Sequence, residues 1–428
     1  SWILSLALTL PLVAKEAPSS LPPELSAYVL DAAPQPAGLL LKKGDRVAIC
    51  GDSITEQKRY SVILESYLTA CLPELEITTR QYGWSGEQAS GFLARMDNDV
   101  LRFKPTFATT CYGMNDFRYV TFQQDIADQY RKNETEIAQR FKKAGARVLL
   151  GSSGIIDSVP KWVKSATGTK QDLNLALSKF RNIGIEVAKT ENVAFADVYR
   201  PMLLADLKAK TLYGESFQVS GGDGVHPGWA GQVIMAYAFL KGMGIDGDIG
   251  TVTYNATSGK ATATAGHEVL SSDGGKITLR STKLPFSADP GDVKSKETIA
   301  AGRALIPFDD ELNRFTLKIA APKAAAYTVT WGETTKRYTA AELKTGVNLA
   351  KDFEKHPLAA PFKKIWDAVV AKQAYETEQI KKEVHGDAGK ADMEGTFAAT
   401  EKLRDEKVAA LNAAKGPVEH VITIAAAP

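Results

Sequence analysis

The sequence predicts an α/β fold of three layers, a parallel sheet with helices on both faces, followed by a β-rich module and a helical tail. Three observations carry this. From residue 45 to about 245, short apolar β-type runs alternate with segments whose apolar residues recur every three or four positions. After Gly250 the texture turns Thr-, Gly- and Lys-rich with period-two alternation. From about Lys351 apolar residues return to helical spacing.

Taken in order, residues 1–14 hold the uncharged apolar run Trp2–Ala14, too short to span a bilayer and broken by Pro11; it reads as the core of a secretory signal, and a secreted or periplasmic location follows as the expectation. Residues 15–44 form a lead-in, where five prolines between Pro18 and Pro36 argue against a core element. The α/β domain spans 45–248. Its strand candidates are Arg46–Cys50, Leu75–Tyr82, Phe107–Cys111, Val148–Ser152 and Val193–Val198; its helix candidates are Tyr60–Cys71, Glu87–Phe103, Phe122–Lys143, Leu173–Lys189 and Trp229–Gly242. Such alternation predicts a parallel sheet that binds ligands at the carboxyl ends of its strands.

The β-rich module covers 249–350, with strands at Thr251–Tyr254, Lys276–Arg280, Phe315–Ile319 and Tyr327–Trp331 expected to pair antiparallel. Residues 351–428 are expected to be helical, with Phe362, Ile365, Trp366, Val369 and Val370 on one face. The Ala-rich end, Lys407–Pro428, reads as a peripheral helix with a short extended piece.

Composition narrows the function classes. The 428 residues carry 52 basic and 50 acidic side chains, a net charge of +2, which is not the electrostatic footprint of a nucleic-acid binder. Cys50, Cys71 and Cys111 are too few for a disulfide framework and read as buried thiols. No metal motif, phosphate loop or dinucleotide fingerprint occurs, so neither metal nor cofactor is expected. His267, His356, His385 and His420 lack partners at metal spacing and read as surface or core residues.

Chemistry concentrates in four segments at the predicted carboxyl edge of the sheet. Gly51-Asp52-Ser53-Ile54-Thr55-Glu56 joins the first strand to a helix, which exposes the Ser53 hydroxyl beside helix N-terminal amides. Tyr82-Gly83-Trp84-Ser85-Gly86 follows the second strand, and Tyr112-Gly113-Met114-Asn115-Asp116 the third. Gly222-Asp223-Gly224-Val225-His226-Pro227 precedes the last helix of the domain. A serine hydroxyl needs a neutral imidazole to take its proton, and His226 is the only histidine before position 267. Asp223, three residues earlier, is spaced to reach its Nδ1 and fix tautomer and orientation. Asp52 and Asp116 read as braces of the surrounding loops, and Asp197 as a turn residue. Any one segment alone would be an ordinary turn or helix cap.

The four segments, in this order and spacing, resemble the SGNH (GDSL-type) hydrolase family over roughly residues 45–245. The resemblance implies a flavodoxin-like sheet, a Ser53–His226–Asp223 triad, and an oxyanion hole formed by the backbone amides of Ser53 and Gly86 with the side-chain amide of Asn115. It implies ester hydrolysis through an acyl-enzyme. Trp84, Tyr112, Met114 and Phe117, beside these residues, are expected to stack on a sugar ring or wall a small pocket. The expected substrate is a small ester or an acetylated carbohydrate with a short acyl group. Two other readings share the residues: an acyltransferase with the same triad, and a non-catalytic carbohydrate-binding envelope protein that retains the fold. The triad is complete before position 245, so the later segments are not expected to supply any of it.

Overall fold

The computed structural model describes residues 20–288 and 291–427; the run Trp2–Ala14 lies outside the described residues. A parallel sheet of order β2-β1-β3-β4-β5 forms the first domain. Its strands are β1 (Arg46–Gly51), β2 (Thr78–Gly83), β3 (Phe107–Cys111), β4 (Arg147–Gly151) and β5 (Ala194–Ala196). Because β1 pairs with both β2 and β3, the winding reverses there, and the crevice at the carboxyl ends of these three strands is where open sheets of this kind bind ligands. β2 starts later than its apolar pattern predicts: Pro73–Leu75 form a 3-10 turn and Glu76 takes a left-handed φ of 50°.

The helices are α1 (Ser53–Glu56), α2 (Tyr60–Ala70), α3 (Ala89–Asp99), α4 (Gln124–Lys143), α5 (Lys170–Glu191), α6 (Tyr199–Tyr213) and α7 (Trp229–Gly242). α2 is buried on every face and α7 on nearly every face, because the accessory region covers the side turned away from the sheet. α5 opens on a capping box in which Thr169 and Asp172 satisfy each other's amides. Its Asn182 accepts from the Asp31 amide (3.1 Å) and donates to the Val29 carbonyl (2.9 Å), which docks the proline-rich lead-in.

The accessory region departs from the sequence expectation twice. Its strands are β6 (Asp248–Asn255), β7 (Lys260–Ala263), β8 (His267–Asp273), β9 (Lys276–Ser281), β10 (Arg314–Ala320), β11 (Ala326–Trp331), β12 (Thr334–Thr339), β13 (Val347–Asn348) and β14 (Val418–Ala427). They make two sheets. One, of order β13-β10-β6-β7, is mixed, with β6 and β10 parallel; the intervening β7–β9 and the short helices α8 (Ile299–Leu305) and α9 (Phe308–Leu312) supply the long crossover a parallel pair needs. The other, of order β12-β11-β14-β9-β8, is antiparallel, and its centre is the end of the chain. The Ala-rich terminus is helical to Ala414, as expected, but its extended end is a ten-residue central strand rather than a short peripheral piece. Its His420, Ile422 and Ile424 are buried in alternation with Glu419 and Thr423, a period-two pattern.

A neutral hydrogen-bond relay ties the two sheets together. Trp331 Nε1–H donates to His420 Nδ1 (3.1 Å), so His420 Nε2 donates to Ser281 Oγ (2.8 Å). Ser281 then donates to His267 Nδ1 (2.8 Å), and His267 Nε2 donates to the Ile249 carbonyl (3.0 Å).

Short helices α10 (Ala340–Thr345) and α11 (Leu349–Asp352) lead to α12 (Ala359–Glu378), which runs directly into a π-helical turn, Gln379–Val384. α13 (Asp387–Ala391) and α14 (Met393–Ala414) follow. These helices close the edge strand β2: Lys372 Nζ (3.0 Å) and an Arg404 guanidinium N–H (2.9 Å) donate to the Thr79 carbonyl, and the Gln81 amide donates to Glu376 (3.1 Å). Side chains thus satisfy backbone groups that would otherwise template further strand pairing. Among the described residues no helix is long and apolar enough to cross a membrane.

Candidate active site

β1 ends at Gly51, and the Asp52 carboxylate caps the next turn by accepting from the Ile54 amide at 2.9 Å. Ser53 is therefore the first residue of α1, half-buried at the carboxyl edge of the sheet. Its Oγ lies 2.8 Å from His226 Nε2, and His226 Nδ1 lies 2.7 Å from Asp223 Oδ2. The loop that presents His226 and Asp223 folds back on itself at Gly221, where φ is +84° and a Cβ would fall 1.9 Å from the His226 carbonyl oxygen. Burial alone would raise the Asp223 carboxyl, but the His226 and Val225 amides and the imidazole hold it below the usual carboxylate range.

The other two loops converge on the same edge. Gly86 is exposed with φ +74°, and its turn is pinned by the Trp84 amide donating to the Gly51 carbonyl (2.9 Å) and the Ser85 amide donating to Glu56 Oε2. The Asn115 side chain is held at both ends: Tyr119 Oη donates to its Oδ1 (3.3 Å), and its Nδ2 donates to the Glu87 carbonyl (3.1 Å), with Asp52 Oδ2 at 3.4 Å. Asp116 braces the two loops together by accepting from the Gly113 (3.0 Å) and Ala89 (2.9 Å) amides. Burial pushes the Asp52 carboxyl up to about 7 and the Asp116 carboxyl up to about 6, each aided by the negative charge of Glu87.

The structure brings Ser53, His226, Asp223, Gly86 and Asn115 to one sheet edge. It does not bring the four aromatic and apolar candidates there as surface. Tyr112, Met114 and Phe117 are at most 2% exposed, because the strand-end segment carrying them turns inward. Tyr112 donates to Glu87 (2.8 Å) and packs on Phe92, while Phe117 packs on Phe180. They are core, not substrate platforms. Trp84 is half-buried, with the Lys381 ammonium and the Arg95 guanidinium each 5.1 Å from its ring and the His385 ring edge-on at 5.0 Å.

Sequence reasoning missed Trp162. It is 50% exposed, and its ring lies 5.7 Å from that of His226 at 31°. The Asp157 amide donates to the Gly224 carbonyl (2.8 Å) and the Thr167 amide to the Tyr119 carbonyl (3.1 Å), so the loop carrying Trp162 is fastened to both the His226 and the Asn115 segments. A tryptophan flanked by Lys161 and Lys164 between a strand and a helix was the available signal. Glu56 and Tyr119 were also missed, although both adjoin the motif segments. Asp197 pairs through both oxygens with Arg181 (2.9 and 2.7 Å), in keeping with a structural turn. The three cysteines are free and buried.

Accessory segments back two of the loops. The Lys296 carbonyl accepts from the Ala230 amide (3.0 Å) just after the His226 loop, and Lys381 and His385 lie behind the Gly86 loop.

Residues 49–234 match the model of the GDSL-like lipase/acylhydrolase family. An acetylxylan esterase of Geobacillus stearothermophilus is 27% identical over 223 residues, which cover 47% of this chain and 95% of that protein. A crystal structure of an acetylxylan esterase from the same organism superposes with a TM-score of 0.40 at 24% identity, covering 48% of this chain and 97% of the other. The structure of a gut microbial diltiazem-metabolizing enzyme superposes with a TM-score of 0.71 at 22% identity over 90% of this chain and 98% of that one, so the fold of the accessory region recurs together with that of the first domain.

Proposed function

Residues 49–234 belong to the GDSL-like lipase/acylhydrolase (SGNH) family of carboxylic ester hydrolases, and from that premise we propose that Ser53 is the nucleophile, His226 its general base and Asp223 the residue that orients the base. The observation that supports this reading is the continuous contact Asp223–His226–Ser53 at 2.7 and 2.8 Å. Asp223 accepts from Nδ1–H and so leaves the Nε2 lone pair toward Ser53. As Oγ attacks the ester carbonyl its proton passes to Nε2, and the carbonyl oxygen becomes an oxyanion. The backbone amides of Ser53 and Gly86 and the side-chain amide of Asn115 stabilise it; one Asn115 N–H stays on the Glu87 carbonyl (3.1 Å), and the other, which makes only a long contact to Asp52 (3.4 Å), turns to the oxyanion. Collapse expels the alcohol with the proton from Nε2, and water repeats the sequence on the acyl-enzyme to release the acid. Export from the cytoplasm is part of this reading.

The proposed substrates are short acyl esters, acetyl above all, on a carbohydrate. Support comes from the relative named an acetylxylan esterase and from Trp162, whose exposed face beside His226 suits a sugar ring. The test is turnover over Michaelis constant for a chain-length series of nitrophenyl esters, with acetate release from acetylated xylan measured alongside. Preference for two-carbon acyl groups with acetate released supports the reading. Preference for eight carbons or more, with no acetate from the polymer, would sink it.

A further inference from the structure

We propose that Lys381 is a positioning residue for the hydrolytic site: through Glu56 it holds the Ser85–Gly86 turn, so that a residue far beyond the esterase domain sets the rate of catalysis. This rests on the reading of Gly86 as an oxyanion donor.

Lys381 Nζ lies 2.8 and 2.9 Å from the two Glu56 oxygens. The same carboxylate accepts the Ser85 amide, one peptide before the Gly86 N–H. Glu56 belongs to α1, the four-residue helix that begins with Ser53, so one carboxylate links nucleophile helix and oxyanion turn. Without Lys381, Glu56 keeps a single bond to a turn that is itself exposed at Ser85 and Gly86. The ion pair is about a quarter exposed on each side, unlike the freely solvated surface pairs that contribute little.

The neighbouring contacts point the same way. The Lys381 ammonium also lies against Trp84, whose amide bonds Gly51. From the same stretch of chain, His385 Nε2 bonds Asp99 (2.8 Å), which meets Arg95 (3.4 Å), which grips Glu87 through two bonds (2.6 and 2.7 Å). The Glu87 carbonyl in turn accepts from Asn115. Lys381 sits in the π-helical turn that follows α12, a local departure from regular helix that recurs at functional sites.

The experiment measures kcat and KM for 4-nitrophenyl acetate, with thermal midpoints, for the full chain and its Lys381→Met, Lys381→Arg and Ser53→Ala variants. Misplacing an oxyanion donor by a fraction of an ångström should lower kcat about ten-fold in Lys381→Met. KM and the midpoint should stay near parental values, and Lys381→Arg should restore kcat to within about two-fold, since its guanidinium also pairs with a carboxylate. In a Glu56→Gln background, Lys381→Met should cost nothing further. Unchanged kcat in Lys381→Met, or equal losses in the Met and Arg variants, would overturn the proposal. If Lys381→Met fails to fold, Lys381→Gln carries the same test, with unchanged kcat overturning it. An inactive parent would overturn the esterase reading itself, whereas an active parent insensitive to position 381 overturns only this inference.

Discussion

Asp223 holds His226 with both carboxylate oxygens: Oδ1 accepts the His226 backbone amide at 2.8 Å, and Oδ2 faces the ring Nδ1 at 2.7 Å. One side chain thereby fixes where the histidine sits and which ring nitrogen carries its proton. Asp223→Asn keeps an acceptor for the amide but turns an N–H toward Nδ1, which favours the tautomer protonated on Nε2. That ring cannot take the Ser53 proton, so kcat should fall roughly 10³- to 10⁴-fold with KM and thermal midpoint nearly unchanged. Steady-state kinetics and a melting curve check this; activity within ten-fold of the parent would refute the orienting role.

Asn115 and Tyr119 should behave as one unit. Asn115→Ala removes a proposed oxyanion donor and should lower kcat about 10²-fold. Tyr119→Phe only frees the far end of the amide and should cost about three- to ten-fold, a part of that loss. The double variant should be no worse than Asn115→Ala alone, and additive losses would separate the two residues.

Acid should destabilise the accessory sheets. Burial lowers His420 to about 3, with the charges of His267 and His356 adding, and lowers His356 to about 4. The relay through His420 and His267 uses every ring nitrogen with neutral imidazoles, so an added proton on His420 finds no acceptor. Because the folded values lie below that of an unfolded histidine, about 6.5, the unfolded chain binds more protons as pH falls. Stability from these groups is present above about pH 6.5 and declines down to their folded values, by on the order of 3 kcal/mol for His420 at pH 4. Urea unfolding at pH 7 and pH 4.5 measures the decline. An equal slope in His420→Gln would assign it elsewhere.

The esterase domain should not survive alone. A chain ending at residue 350 loses β14 from the middle of its sheet and the helices that close β2. It should be insoluble or lack a cooperative melt, as should a fragment ending near Gly250. A soluble fragment of 45–248 with parental turnover would contradict the structural dependence and the role of Lys381 together.

What the sequence makes legible follows the range of the interactions. Phe107–Cys111 and Trp229–Gly242 have the observed bounds because local apolar patterning and flanking turns suffice there. The residues of the candidate site are legible because each lies within a short contiguous segment. β14 is legible only as a short extended piece after a helix; its length and its place at the centre of a sheet are hidden because its partners β9 and β11 lie some 90 to 150 residues upstream. The apolar character of Tyr112, Met114 and Phe117 says that they pack, while tertiary structure decides that they pack inward. The Glu56–Lys381 pair spans 325 residues, and no spacing rule announces it.

Hydrolysis of 4-nitrophenyl acetate by the full chain and by Ser53→Ala, under identical conditions, tests most directly whether the Ser53 hydroxyl performs the chemistry. The half-buried hydroxyl makes one side-chain hydrogen bond, to His226, so its removal should leave the fold and thermal midpoint intact. Saturable turnover by the parent with only the background rate for Ser53→Ala would bear out Ser53 as the nucleophile. Equal turnover by the two proteins would contradict it.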